Sequence, residues 1–225
     1  MIRVAVTTDR FDVAAPHFAE VGLDPVSLPC IRIEPADRPV LAQARKAALG
    51  AELLLITSIR TLDLLWPATQ MPDVPVAAVG EATAAAAVSR GGRVVEVGSL
   101  GLAALTTKAS DRLGGSRVVF PRSEGSDHQA LEELRAKAGQ LAEYEVYRVI
   151  PVAPDDAPVE AAVFASPSAV EGWLLGRDFE DIVVGVIGPT TRRSVSRRRP
   201  PDVTSPDPSH RALARAMASY LEVTV

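Results

Sequence analysis

The chain has few of the groups that usually carry catalysis. Cys30 is the only cysteine in 225 residues, which excludes an internal disulfide and fits a reducing compartment. It falls in an apolar strand and reads as an inert core thiol. The three histidines, His17, His128 and His210, are scattered and each reads as a surface residue. With no cysteine pair beside them, no metal site is expected. Aromatics are 4% of the chain, so the core must be built from Val, Leu, Ile and Ala. No apolar run approaches the ~20 residues of a membrane span. The opening MIRVAVTTDR enters a strand directly, without the features of a signal peptide, so a cytoplasmic protein with no membrane partner is expected. The formal charge of −4 argues against nucleic acid as a partner. There is no G-x-S-x-G and no P-loop, and GEATAA and GPTTRR are not G-x-G-x-x-G. Lysine is scarce too: 21 of the 24 basic residues are Arg. Arg is the better bidentate clamp for carboxylates, although a G+C-rich genome gives the same excess.

What is present is a block that occurs twice. Residues 57–91, TSIRTLDLLWPATQMPDVPVAAVGEATAAAAVSRG, are echoed by residues 165–199, ASPSAVEGWLLGRDFEDIVVGVIGPTTRRSVSRRR. Ser58 and Gly80 are 22 apart, as are Ser166 and Gly188, and Thr83 and Thr191 each stand three places after that Gly. The common offset of 108 implies two similar units.

Short apolar strands alternate with helices along the chain, which argues for parallel sheets covered on both faces. Strands are expected at 2–7, 26–33, 52–57, 75–79, 93–97, 116–122, 142–149, 160–165 and 182–187. Helices are expected at about 13–21, from Ser58 to before Pro67, at 81–90, 100–113, from Ser126 to Gly139, and at 168–175, 190–198 and 209–222. EPADRPVLAQ and PVAPDDAP are rich in Pro and charge and read as linkers. The first two strands find no partners until residue 160, whereas the central stretch holds five strands of its own. The expected organisation is therefore a discontinuous domain, 1–35 plus 158–225, with a second domain inserted as 40–150. The linkers near 36–40 and 150–158 would cross side by side as a hinge.

Ligands of open α/β sheets sit beyond the carboxyl ends of the strands. The residues placed there are Thr7 and Thr8, Thr57 and Ser58, Gly80 and Glu81, Arg122 and Ser123, Ser166 and Ser168, and Gly188, Thr190 and Thr191. Hydroxyls and helix N-terminal N–H groups suit an anion, and Gly lets the backbone approach a ligand. Helix capping by Ser and Thr explains any one of these residues without a ligand; the matched pair of sets favours one. Arg192, Arg193 and Arg197–Arg199 either attract an acidic ligand or form a solvated helix face. Tyr147 alternates with Val146 in its strand; it is either core packing or a phenol able to donate to a leaving oxygen.

Taken in order, LLITSIRTLDLL, PVAAVGEATAAAAVSRGG, VVFPRSEGSDHQALEELRAKAG, YEVYRVIP, VFASPSAV and VGVIGPTTRRSV resemble the uroporphyrinogen-III synthase family over nearly the whole chain. The resemblance implies an α/β fold of two similar domains, each a parallel sheet flanked by helices, joined by a two-stranded linker. It implies a lyase of tetrapyrrole synthesis that closes the linear tetrapyrrole hydroxymethylbilane with inversion of ring D, without metal or organic cofactor. It implies a monomer and allows a transient hand-over from hydroxymethylbilane synthase. It assigns the leaving-group role to Tyr147 and substrate contacts to Thr57, Ser58, Gly80, Thr83, Ser166, Ser168, Gly188, Thr190 and Thr191; Thr8 and Arg122 join them as strand-end candidates. The chain departs from the family pattern in TTDR after the first strand, in Arg197–Arg199, and in lacking Gly after Arg122. These departures keep open a non-catalytic sensor of tetrapyrroles or other polyanions with the same fold.

Overall fold

A computed structural model describes residues 1–67, 70–99 and 101–223. The chain divides into two compact units, residues 1–33 with 149–225 and residues 34–148. In chain order the first unit opens with β1 (Arg3–Val6), α1 (Phe11–Ala19) and β2 (Asp24–Ser27). It is completed by β9 (Ala161–Phe164), α8 (Pro167–Trp173), β10 (Val183–Val186), α9 (Pro189–Val195), β11 (Val203–Thr204) and α10 (His210–Tyr220). Its five strands run in the order β11-β10-β9-β1-β2, all parallel. Every residue of β9 is buried, as are three of four in β1 and β10, as a sheet covered on both faces requires. On one face Phe164, Val184 and Val186 pack with Val170, Trp173 and Val195 of α8 and α9. On the other, Val4, Val6 and Val163 pack with Phe18 of α1 and Leu213 and Met217 of α10.

The second unit holds α2 (Arg38–Leu49), β4 (Leu53–Ile56), α3 (Ile59–Leu65), β5 (Pro75–Val79), α4 (Glu81–Val88), β6 (Arg93–Gly98), α5 (Gly101–Lys108), α6 (Ser110–Leu113), β7 (Arg117–Ser123) and α7 (His128–Lys137). The chain passes between the units twice, in β3 (Ile31–Pro35) and β8 (Gln140–Pro151). The sheet order is β3-β8-β7-β4-β5-β6. β4 to β8 are parallel. The bonds from Ala36 N–H to the Val146 carbonyl and from Val152 N–H to the Cys30 carbonyl run in opposite sense along β3 and β8, so that pair is antiparallel. Close packing secures the crossing on the first unit: a methyl group at Gly172 of α8 would lie 1.9 Å from the Cys30 carbonyl oxygen and 2.7 Å from that of Val152.

Several expectations are corrected. VSLPCIRI is two strands, because the chain breaks at Leu28–Pro29–Cys30 and β2 and β3 join different sheets. EPADRPVLAQ contains the start of α2: Asp37 is its N-cap and Pro39 lies in the first turn, where a missing N–H is harmless. The short β11 gave no periodicity to read. The expected helix at 100–113 is α5 and α6 with a break at Ala109; Leu100 lies outside the described residues. Asp127, rather than Ser126, caps α7, accepting from Gln129 N–H at 3.0 Å and Ala130 N–H at 3.3 Å. His17 and His210 are not surface residues: both are half-buried, on α1 and α10, which pack together.

Four titratable groups are held below their usual range: Glu96 at the surface, chiefly by its hydrogen bond with Lys108, and the partly buried His210, Glu143 and Asp202. Burial lowers His210, and neighbouring His17 lowers it further. Burial alone would raise Glu143, but its hydrogen bonds to Arg135 and Arg122 outweigh it and the net direction is down. Asp202 behaves likewise: burial raises it, but the hydrogen bonds from Arg199 and the Val184 N–H outweigh burial and the net direction is down. Each depressed group binds fewer protons folded than unfolded, so stability is present at neutral pH and lost on acidification. The thermal midpoint should therefore fall in two stages, first as pH drops below about 6.5 through His210, then below about 4.5 through the carboxylates. His210→Gln should flatten the first stage and Glu143→Gln the second, in thermal melts followed by circular dichroism across pH.

Candidate active site

Parallel pairing brings the polar strand ends of each unit to one edge. In the first unit Val183 pairs with Ala161 and Val186 with Phe164; continued, this register sets Gly188 level with Ser166. In the second, Val76 pairs with Leu54 and Ala78 with Ile56, which sets Gly80 level with Ser58. The 22-residue spacing seen twice in the sequence is thus the register of two ladders. Ser58 and Ser166 also match in conformation, with φ −155° at both and ψ 142° and 157°. Each caps its helix, Ser58 accepting from Arg60 N–H and Ser166 from Ala169 N–H, both at 3.2 Å. α3 packs on α4 and α8 on α9, so the duplicated unit is strand, helix, strand, helix. Thr83 and Thr191 are buried in both copies, whereas Thr57, Ser58, Ser166 and Ser168 are partly open and Thr190 is exposed.

The two glycines differ. Gly80 has φ +77°, a left-handed conformation that favours Gly. Gly188 has φ 178° and is extended. A Cβ at either would meet nothing within 4 Å. Gly80 therefore has a backbone reason to be Gly and Gly188 has none within the protein.

Thr8 lies at the end of β1, beside β9. Its hydroxyl donates to Asp9 Oδ1 at 3.3 Å and accepts from Arg10 N–H at 3.3 Å. Thr7 is fully buried and donates to the Val163 carbonyl at 2.7 Å, so it closes the β1–β9 seam and does not face a ligand.

Arg122 is buried at the end of β7. Its Nε donates to Glu143 at 2.8 Å and its Nη2 to Glu145 at 2.9 Å. Its Nη1 donates to the carbonyls of Ser123 at 3.0 Å and Glu124 at 3.4 Å. Arg135 joins Glu143 from α7 at 2.7 Å. Arg122 thus pins β7 to β8 beside Tyr147. The carboxylates that hold it were not singled out from the sequence, although Glu143 and Glu145 alternate at spacing two and so share a strand face. Pairing of β7 with β8 slips at Arg122: Arg122 faces Glu145 and the next residue, Ser123, faces Tyr147. This bulge breaks the alternation expected of Val146 and Tyr147, and both side chains are buried. Bulges of this kind re-aim a side chain.

Cys30 is fully buried. Burial pushes its thiol up to about 12, against a lowering influence from Arg177, so it stays protonated. Among the described residues no three His, Cys, Asp or Glu side chains gather to hold a metal ion, and no helix is long and apolar enough to cross a membrane.

Fold and site together define a protein of two doubly wound α/β units whose parallel strands end in matched hydroxyls and glycines. The model of the uroporphyrinogen-III synthase HemD family matches residues 12–222, and the chain belongs to that family, whose members are cyclising lyases of tetrapyrrole synthesis. Its fold is similar to that of a mutant uroporphyrinogen III synthase from the extreme thermophile Thermus thermophilus, with 17% identity, 99% of each chain covered and a TM-score of 0.62. It is also similar to uroporphyrinogen-III synthetase from Helicobacter pylori, with 15% identity, 97% of this chain and 99% of that one covered, and a TM-score of 0.67. No curated protein matches the chain by sequence.

The contrast between the two glycines gives a direct test of ligand approach. Gly80→Ala should lose about 1 kcal/mol of stability from its left-handed backbone. Gly188→Ala should stay within about 0.5 kcal/mol of the parent, while weakening binding of a porphyrin probe measured by fluorescence titration.

Proposed function

We propose that this protein converts hydroxymethylbilane to uroporphyrinogen III, with loss of water and inversion of ring D. The observation that carries this reading is the pair of equal registers: two edges, one in each unit, that offer the same Ser, Gly and Thr groups to an acidic ligand. The substrate carries many carboxylates, and uncharged donors can bind them without clustering like charges in the protein. Ser58, Thr57, Gly80 and Thr83 form one set of contacts. Ser166, Ser168, Gly188, Thr190 and Thr191 form the other, with Thr8 beside them. Arg122, with its guanidinium committed to Glu143 and Glu145, acts by holding the β7–β8 end that carries Tyr147.

The reaction itself needs positioning more than covalent help. The hydroxymethyl C–O bond breaks and oxygen leaves as water, with the Tyr147 phenol donating a hydrogen bond to it. This leaves an electrophilic azafulvenium carbon. The substituted carbon of ring D attacks that centre to form a spiro intermediate. The bond from that spiro carbon to its original bridging methylene then breaks, the freed methylene bonds to the other α-carbon of ring D, which inverts the ring, and loss of the proton on that carbon restores the pyrrole. Free closure in water would give the isomer without inversion, so the protein must hold the chain ends in one geometry. Orientation of this kind supplies up to about 7–11 kcal/mol. In this reading the protein acts as a monomer in the cytoplasm, taking an unstable substrate as it is made.

Tyr147→Phe removes only the phenol oxygen. Supplied with hydroxymethylbilane, it should turn over about 10²–10⁴ times more slowly than the parent, while binding the porphyrin product nearly as well. Separation of the oxidised products by isomer reads the result. Type III product from the parent, lost in the variant, supports the assignment; unchanged turnover removes the role of Tyr147. A parent that leaves only type I product, yet binds porphyrin tightly, makes the protein a sensor.

A further inference from the structure

The outer side of α9 carries a basic cradle outside the contacts assigned above. Thr191 and Val195 are buried, one turn apart on the inner side of the helix, and Arg192, Arg193, Ser196 and Arg197 line its outer side. With Pro189, those four line a cavity of about 600 Å³. No acidic residue lines it. Among the described residues none of the three arginines has an ion pair. Several arginines elsewhere are neutralised locally, Arg90 by Asp63, Arg122 by Glu143, Arg148 by Glu34 and Arg199 by Asp202; what distinguishes these three is that they line one cavity together. Arg192 and Arg193 lie in α9 and Arg197 just beyond its C-cap Ser196, so three like charges crowd one helix end. The negative end of α9 makes cations tolerable there but supplies no partner for the guanidinium donors. A net-acidic chain thus keeps three unneutralised arginines around one cavity.

The cavity begins at Pro189, directly after Gly188 at the end of β10. Guanidinium groups bind carboxylates in bidentate fashion. We propose that Arg192, Arg193 and Arg197 form a capture site for outlying carboxylates of the substrate, continuous with the Gly188 strand end. This rests on the function proposed above. The cradle draws the polyanion in through its field and holds its rim, leaving ring closure to the strand ends.

The test uses the full chain and the triple variant Arg192→Gln, Arg193→Gln, Arg197→Gln, with matched Arg→Lys changes as the conservative control. With hydroxymethylbilane, KM of the Gln variant should rise about tenfold, the loss of a few exposed charge-assisted contacts, with kcat within about twofold and the share of type III product unchanged. Raising salt from about 20 to about 300 mM should raise KM of the parent and the Lys variant, but leave that of the Gln variant nearly flat. Calorimetric titration with mellitate, a benzene hexacarboxylate, should show binding to the parent and at least tenfold weaker binding to the Gln variant. Equal KM, equal salt dependence and equal mellitate affinity in parent and Gln variant, at matched thermal midpoints, would overturn the cradle. If the parent makes no type III product but mellitate binding still depends on the arginines, the proposed reaction fails and the cradle stands as a polycarboxylate site.

Discussion

Register in a parallel ladder is the constraint on which this molecule depends. Parallel strands present all their carboxyl ends at the same edge, and a fixed register decides which residues stand level there. In both units the register between the central strand and its neighbour is the same, so, continued past the strand ends, it sets Ser58 level with Gly80 and Ser166 level with Gly188. Burial on both faces keeps that register, because a slip of one residue would turn the aliphatic side chains of β4 or β9 the wrong way. The hydrophobic core and the polar edge are thus two consequences of one pairing.

The site also depends on where regularity is broken. The bulge between β7 and β8 places Val146 and Tyr147 in consecutive buried positions, and Arg122 ties the two strands together there through Glu143 and Glu145. A buried arginine with two carboxylates is costly to remove once desolvated, so this ion-pair network fixes local geometry more than it adds stability. The left-handed Gly80 is a second irregularity, and its counterpart Gly188 shows that the two units have diverged in backbone while keeping their spacing.

Much of this was legible in the residues. Apolar runs such as ELLLIT and EAAVFA identify buried strands because they lack alternation, and the repeated 22-residue interval encodes a register. Membership of the family was legible in the order of the fragments. The misread parts have physical reasons. Pro39 looks like a breaker, but at the start of α2 it costs nothing. Pro29 sits in what looks like one strand, but the chain there leaves one sheet for another. Tyr147 keeps a strand-like neighbourhood in sequence, and a bulge has no signature of its own. Arg122 looks like a ligand-facing cation in sequence because its partners, Glu143 and Glu145, come from a strand about twenty residues away, and pairing across strands is set by tertiary structure.

The central proposal is that the matched strand ends of each unit bind an acidic tetrapyrrole. Amide hydrogen exchange followed by mass spectrometry, with and without uroporphyrin III, tests it most directly. The account predicts added protection in segments around 57–62, 80–84, 166–170 and 188–192 together, at the same ligand concentration. Protection confined to one unit, or found only away from these strand ends, would contradict it.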